Sequence, residues 1–155
     1  MRTEETLDEP SCSIREAAEQ LHLSVHTLRK YESNGLILPS RSAGNQRRYT
    51  HADLERVRCV HQAINTDKMS IQGIKRMLSL IPCWVMVGCS LDDRAYCKAY
   101  TDTAGPCWAL RHKSNVCAFR ECRACEVYRE ATTCHSLKQL LRSRLSSPST
   151  GHEDP

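Results

Sequence analysis

The sequence lacks any long apolar run. None of its 155 residues belongs to a stretch of about 18 apolar residues, the length that a transmembrane helix needs. The first ten residues, MRTEETLDEP, lack the apolar core of a secretory signal. Aromatic residues are few, with two Trp, five Tyr and one Phe. We therefore expect a soluble, cytoplasmic protein that makes no membrane contact.

Features typical of enzymes are missing as well. The sequence has no Gly-rich phosphate loop, no carboxylate pair in a recognisable frame and no second domain to form a substrate cleft. The charge is mildly basic, with 22 Lys and Arg against 18 Asp and Glu and a net charge of +4. We expect a protein that is not an enzyme. The enzymatic alternative is an electron-transfer or thiol oxidoreductase unit in the C-terminal half.

Cysteine, in contrast, is abundant and unevenly distributed. Eight of the ten cysteines follow Pro82. Disulfides seldom persist in a reducing cytoplasm, and this much cysteine is more typical of thiolate metal ligands. We expect an ordinary N-terminal domain and a metal-held C-terminal one, with Cys12 and Cys59 as free thiols outside the cluster.

The N-terminal half begins with signals for a helix-turn-helix. Ser13-x-x-Glu16 fits a capping box that starts one helix, and Ser24 can cap a second helix that Asn34-Gly35 stops. Two short helices across so tight a turn are typical of DNA-binding proteins, in which the second helix enters the major groove.

The following residues predict a wing and two more helices. Residues 40–49 combine a Gly-bearing basic loop with a β-friendly tyrosine, which indicates a two-stranded wing. Thr50-x-x-Asp53 is a second capping box, and its helix extends to Asn65. A further helix is predicted from Ser70 to Ile81, where Pro82 ends it.

The candidate DNA-binding residues cluster on the second helix and the wing. Cations there would neutralise phosphates, short side chains in the first helical turn would meet base edges, and tyrosines would donate to phosphate oxygens. The set is Ser24, His26, Thr27, Arg29, Lys30, Tyr31, Arg41, Arg47, Arg48 and Tyr49. The alternative is that the charges only solvate the surface and both tyrosines are core residues. Three other histidines, His22, His51 and His61, are assigned to surface or core packing.

Residues 24–37 (SVHTLRKYESNGLI) and 44–57 (GNQRRYTHADLERV) resemble the winged-helix domain of the MerR family of transcription regulators. The resemblance covers roughly residues 13–81 and supports Arg29, Tyr31, Arg47 and Tyr49 most strongly. It implies a homodimer that binds an inverted repeat in promoter DNA and acts on RNA polymerase indirectly, by distorting the DNA. Most of the family continue into a long dimerisation helix, but Pro82 interrupts the chain where that helix would lie.

The C-terminal half contains an internal repeat. Pro82-Cys-Trp-x4-Cys89-x7-Cys97-x2-Tyr100 and Pro106-Cys-Trp-x8-Cys117-x7-Cys125-x2-Tyr128 share one pattern, with four residues inserted in the second. Each repeat has too few residues to bury a core, so thiolate ligation would have to hold it. The pattern resembles the small Cys-Trp repeat domains attached to some bacterial regulators.

The candidate metal ligands are Cys83, Cys89, Cys97, Cys107, Cys117, Cys122 and Cys125. Cys117-x4-Cys122-x2-Cys125 has the spacing of a plant-type [2Fe-2S] ligand set, with Cys107 or Cys134 as the fourth ligand. Zinc sites usually use paired ligands, and the segment has one such pair. An iron-sulfur cluster is therefore slightly favoured over zinc. A disulfide or plain thiol core and transient sensing of Cu(I) or Hg(II) stay open.

These patterns predict a mainly α protein in four parts. Residues 1–12 are a disordered tail, and 13–81 are a winged helix-turn-helix domain with a two-stranded wing. Residues 82–134 are a small Cys-rich, metal-held domain, and 135–155 are a short helix, Leu137 to Leu145, with a disordered tail. The predicted function is DNA-binding transcription regulation with redox or metal sensing. The alternative gives the zinc-held C-terminal domain a purely structural or protein-docking role.

Overall fold

The computed structural model describes residues 12–131 and 137–146. The fold is mainly helical, with one small antiparallel sheet. The N-terminal elements are β1 (Cys12–Ser13), α1 (Ile14–Leu21), α2 (Val25–Ser33), β2 (Ser40–Arg41), β3 (Arg47–Tyr49), α3 (His51–Asn65) and α4 (Ile71–Leu78). The C-terminal helices are α5 (Cys83–Met86), α6 (Leu91–Ala95), α7 (Lys98–Thr101), α8 (Glu126–Glu130) and α9 (Leu137–Leu145), with three 3₁₀ turns at Cys107–Ala109, Val116–Phe119 and Cys122–Ala124.

The first two helices form the predicted helix-turn-helix. The Ser13 hydroxyl accepts a hydrogen bond from the Glu16 amide at 3.3 Å, and the Glu16 carboxylate accepts one from the Ser13 amide at 2.7 Å. This reciprocal capping box satisfies two amides that would otherwise lack partners at the helix start. His22 adopts a left-handed conformation, with φ of 54°, and so turns the chain into α2.

The sheet has three strands, in the order β1-β3-β2. The predicted wing is β2 paired with β3, in the register Ser40↔Arg48. The extra strand is β1, in which Cys12 pairs with Tyr49. Cys12 is buried, so the prediction that the disordered tail extends through residue 12 is wrong. A two-residue strand has no periodicity to detect, and residues 1–11 of the predicted tail lie outside the described residues.

Helices α3 and α4 pack behind the helix-turn-helix and complete its core. The predicted capping box at Thr50 and Asp53 is present. Helix α4 ends at Leu78, before the predicted end, and Ile81 and Pro82 are buried in the turn that follows. Cys59 on α3 is disulfide-bonded, so the prediction of a free thiol there is wrong.

The cysteine-rich segment has a small core that includes Trp108 and Tyr128. Each Trp of the segment packs edge-on against the Tyr that ends its repeat. Trp84 lies 5.2 Å from Tyr100 and Trp108 lies 5.1 Å from Tyr128, measured between ring centroids, with interplanar angles of 85° and 89°. The core is completed by Leu140 of α9, which forms where a short helix was predicted. Residues 147–155 of the predicted tail lie outside the described residues.

The second repeat docks directly on the segment that joins α2 to the wing. The Trp108 indole nitrogen donates to the Gly35 carbonyl at 2.8 Å, and the Leu38 amide donates to the Tyr128 hydroxyl at 2.9 Å. Gly35 has a positive φ of 71°, and a Cβ atom there would lie 2.9 Å from the Ala109 Cβ. Glycine is therefore required both by the backbone and by the approach of the second repeat.

A buried charge network reinforces this interface. Asp53, which is 3% exposed, pairs with both terminal nitrogens of Arg123 at 3.0 and 3.1 Å. Arg123 also donates to the Leu38 carbonyl. The guanidinium carbon of Arg56 lies 3.8 Å from the centroid of the Tyr128 ring, and its nitrogen donates to the Tyr128 carbonyl. Such contacts make the position of the second repeat depend on the DNA-binding half.

Replacing Arg123 by Ala should lower the free energy of unfolding by about 3 kcal/mol, because it leaves the Asp53 carboxylate buried without its cation. Arg129→Ala removes an exposed cation from α8 and serves as the control. Urea unfolding of both variants, followed by far-UV circular dichroism, measures the difference. Equal stability of the two variants would show that the Arg123 pair contributes nothing to the interface.

Candidate DNA interface and cysteine cluster

The first turn of α2 faces solvent at the place where base contacts are predicted. The Ser24 hydroxyl caps the helix by accepting from the Thr27 amide at 3.0 Å, and the two hydroxyls lie 2.9 Å apart. His26 follows the cap and is exposed. The cap therefore holds Ser24 and Thr27 together at the helix start, and His26 lies between them in the chain.

The predicted cations differ in exposure. Arg29 and Lys30 are exposed on α2, and Arg41 is exposed on β2, where it donates to the Asn45 carbonyl at 3.1 Å across the hairpin. Arg48 is half-buried on β3 and acts electrostatically on Glu16. These exposed cations form no ion pair with any other described residue, so they can approach phosphates without losing such a pair within that part of the chain.

The two predicted tyrosines are core residues. Tyr31 and Tyr49 are 3% and 0% exposed. The Tyr31 hydroxyl lies 3.1 Å from Nδ1 of His61, and the Tyr49 hydroxyl donates to Glu32. Burial raises the pKa of both hydroxyls. This placement corrects the prediction that Tyr31 and Tyr49 donate to phosphate oxygens, because both hydroxyls have partners inside the protein, and it agrees with the packing role assigned to His61.

Glu32 connects the second helix to the wing, and the sequence analysis did not identify this role. Its carboxylate accepts from Nε of Arg47 at 2.6 Å and from the Tyr49 hydroxyl. Arg47 is 32% exposed and Glu32 is 10% exposed, counting side chains. The hydrogen bond to Glu32 raises the pKa of Arg47. Arg47 thus has a structural role, because the Glu32 carboxylate already pairs with its guanidinium.

The seven predicted thiol ligands converge on two small adjacent cavities. The first-repeat cavity is lined by Cys83, Cys89 and Cys97, and the second-repeat cavity by Cys122 and Cys125. Three of the cysteines line both cavities: Cys83, Cys107 and Cys117. His112, which the sequence analysis did not single out, also lines both. His112 lies between Trp108 and Cys117, in the spacing that is four residues longer than in the first repeat, and this difference in length was the available signal.

The thiols are close enough to affect one another's ionisation. A hydrogen bond from Cys107 lowers the pKa of Cys83 to about 7, and the same bond, together with burial, raises the pKa of Cys107. Burial raises the pKa of Cys117 to about 11, and the charges of Cys89 and Cys125 act in the same direction. Cations would relieve this repulsion between thiolates.

In residues 12–131 and 137–146, no three His, Cys, Asp or Glu side chains are already grouped closely enough to hold a metal ion. Cys134, considered as a fourth ligand, lies outside the described residues.

In residues 12–131 and 137–146, no helix is long and apolar enough to cross a membrane.

The capped recognition helix, the basic wing and the two helices behind them define a winged helix-turn-helix DNA-binding domain. Residues 12–81 match the family described as MerR HTH family regulatory protein, so this part of the chain is similar to the helix-turn-helix domain of that family. Over 75 residues the chain is 40% identical to the "Putative heat shock protein HspR" of Streptomyces coelicolor. That alignment covers 48% of this chain and 50% of the relative, so the chain spans about half the relative's length. No solved structure matches the chain.

Replacing Arg29 or Arg41 by Ala should weaken binding to mixed-sequence duplex DNA and reduce the slope of log K against log salt by about 0.9 for each phosphate that is no longer neutralised. Tyr31→Phe should leave that slope unchanged, since the Tyr31 hydroxyl bonds to His61. Fluorescence anisotropy titrations at several salt concentrations measure the slopes, with Arg129→Ala as the control. A slope that falls for Tyr31→Phe but not for the two arginine variants would contradict this assignment of the interface.

Proposed function

We propose that the chain is a sequence-specific, DNA-binding transcriptional regulator of MerR type, whose cysteine-rich segment binds an iron-sulfur cluster or a metal and senses redox or metal status. The observation that carries the proposal is the direct packing of the second repeat on the segment between the recognition helix and the wing. A change among the thiols would therefore act next to the surface that contacts DNA.

The proposed DNA site is an inverted repeat in a promoter, bound by a homodimer that acts on RNA polymerase indirectly. The family match supports promoter binding, because regulators with this domain bind DNA. Physical reasoning supports the dimer, because one small helix-turn-helix buries too little surface to be selective, and two half-sites multiply the specificity.

The donor chemistry supports a cofactor bound by thiolates. The segment has a small apolar core, and seven thiols line its two cavities. The predicted iron-sulfur ligands Cys117, Cys122 and Cys125 line the second-repeat cavity together with Cys107, the predicted fourth ligand. Since these thiols are not yet grouped for a metal, binding would draw them together and contribute folding free energy. When bound, an iron-sulfur cluster supplies a redox-sensitive centre, and zinc supplies a structural one.

The proposed route of regulation passes through three contacts of the second repeat. Trp108 follows the ligand candidate Cys107 and bonds to Gly35. Arg123 follows Cys122 and pairs with Asp53. Tyr128 lies three residues beyond Cys125 and accepts from Leu38. Each contact begins within three residues of a proposed ligand.

Operator affinity should depend on the state of the cofactor by about 1–3 kcal/mol, and operator DNA should change cofactor affinity by the same free energy. The protein is purified anaerobically, its metal content and visible absorption are measured, and an operator is selected from random-sequence DNA. Affinity and chain stoichiometry are then compared for the reduced, oxidised and metal-free protein at fixed salt. Visible absorption with bound iron and sulfide is expected, and zinc without colour would establish the alternative cofactor.

A matched pair of variants tests the route. Tyr128→Phe removes the acceptor for the Leu38 amide while keeping the ring beneath Arg56, so it should reduce the coupling and leave metal content unchanged. Tyr100→Phe makes the same change in the first repeat, and it should preserve the coupling. Equal operator affinity in all three states of the wild-type protein would contradict sensing.

The second candidate function is a docking platform for another protein. It is favoured by exposed aromatic residues in the cysteine-rich segment, where Tyr96 is 89% exposed and Phe119 is 98% exposed. Aromatic side chains in such positions are enriched at protein interfaces. In this candidate function, the metal only holds the segment in shape, and the state of the metal would not alter DNA affinity.

A further inference from the structure

His112 is oriented by the backbone of the second repeat. Its Nε2 lies 2.9 Å from the Cys107 carbonyl oxygen, which can only accept a hydrogen bond, so Nε2 carries the proton. The lone pair of the neutral ring is therefore on Nδ1. That atom lies 3.8 Å from Sγ of Cys97 and 3.1 Å from Nδ2 of Asn115. Histidines that ligate metals are typically fixed in this way, with the second ring nitrogen donating to a carbonyl.

The thiols divide unequally between the repeats. The first repeat contributes three, Cys83, Cys89 and Cys97, and all three line the first-repeat cavity together with His112. The second repeat contributes four, Cys107, Cys117, Cys122 and Cys125, and all of them line the second-repeat cavity. Two of these four, Cys107 and Cys117, also line the first-repeat cavity. A closed zinc-type site needs four donors. If Cys107 and Cys117 join Cys122 and Cys125, the second site has a full set and the first is short by one.

We propose that His112 is the fourth ligand of a metal site in the first repeat, formed with Cys83, Cys89 and Cys97, and that this site is separate from a four-thiolate site in the second repeat. This inference rests on the proposed function. His112 lies in the longer Trp-to-Cys spacing that distinguishes the second repeat, so the second repeat would supply the donor that the first site lacks. Three thiolates and one neutral imidazole are a donor set suited to a tetrahedral divalent ion of the zinc class.

The size of the cavities is consistent with single ions. The second-repeat cavity has a volume of about 20 Å³ and the first-repeat cavity one of about 10 Å³, so each has room for roughly one water-sized particle. Without metal, Nδ1 of His112 accepts from the Asn115 amide, and Asn115 also accepts from the Cys117 amide at 3.0 Å through its oxygen. A metal ion would replace only the amide contact of His112, and the bond from Nε2 to Cys107 would keep the ring in place.

The test uses the full chain, reduced and free of metal, titrated anaerobically with cobalt(II), whose absorption reports thiolate and imidazole ligands. The wild-type protein should bind about two equivalents, and His112→Ala about one, because a three-donor set holds the ion less tightly than a closed four-donor set. His112→Cys should restore the second equivalent and strengthen the thiolate-to-cobalt absorption. His51→Ala, which changes a histidine exposed on α3, is the control and should match the wild type.

Each result has a separate meaning. If the wild-type protein binds no cobalt, both ion sites and the role of His112 are wrong, while iron and sulfide in the anaerobically purified protein would still support the proposed function. If His112→Ala binds two equivalents with the wild-type spectrum, the ligand role of His112 is wrong while the proposed function stands. If the wild-type protein binds a single equivalent, the division into two sites is wrong. His112→Cys keeps four donors at the proposed first-repeat metal site, so it gives a decisive result even where the alanine variant does not fold.

Discussion

A single buried carboxylate, that of Asp53, fixes three parts of the molecule relative to one another. One of its oxygens accepts from the Thr50 amide at 2.8 Å and so closes the capping box of α3, directly after the last wing strand. Both oxygens also pair with Arg123 of the cysteine-rich segment. An unpaired buried carboxylate would cost several kcal/mol, so the wing, α3 and the second repeat can be displaced only together or with loss of this pair.

The two repeats use the same aromatic pair in different ways. In the second repeat, Trp108 and Tyr128 are buried and each makes a hydrogen bond to the DNA-binding domain. In the first repeat, Tyr100 is 45% exposed, and the guanidinium carbon of Arg94 in the same repeat lies 5.9 Å from its ring centroid. The second repeat therefore anchors the segment, while the aromatic pair of the first repeat is more exposed. Thiols of both repeats line each of the two cavities.

The sequence predicted features that depend on neighbours a few residues away. The capping boxes at Ser13 and Thr50, the turn after α1 and the wing hairpin are all local, because their hydrogen bonds join residues close together in the chain. Contacts between distant residues gave no comparable signal. The Arg123 side chain pairs with a carboxylate 70 positions earlier, and no periodicity marks such a pair. Likewise, the regular spacing of the cysteines predicted the candidate thiol ligands, but His112 is not part of the repeated pattern and was not predicted.

Counting the basic residues of the recognition helix and the wing overestimates the number of cations that are free to contact phosphates. Sequence alone places Arg47 among the cations for phosphate, yet its guanidinium is bound by Glu32 at 2.6 Å. Glu32 also binds the hydroxyl of Tyr49, so one acidic side chain on α2 holds two wing residues. Breaking that ion pair to reach a phosphate would exchange one charged partner for another, with little net gain. We therefore expect electrostatic attraction to DNA to come mainly from Arg29, Lys30 and Arg41, which are exposed, whereas Arg47 joins the wing to the recognition helix through Glu32.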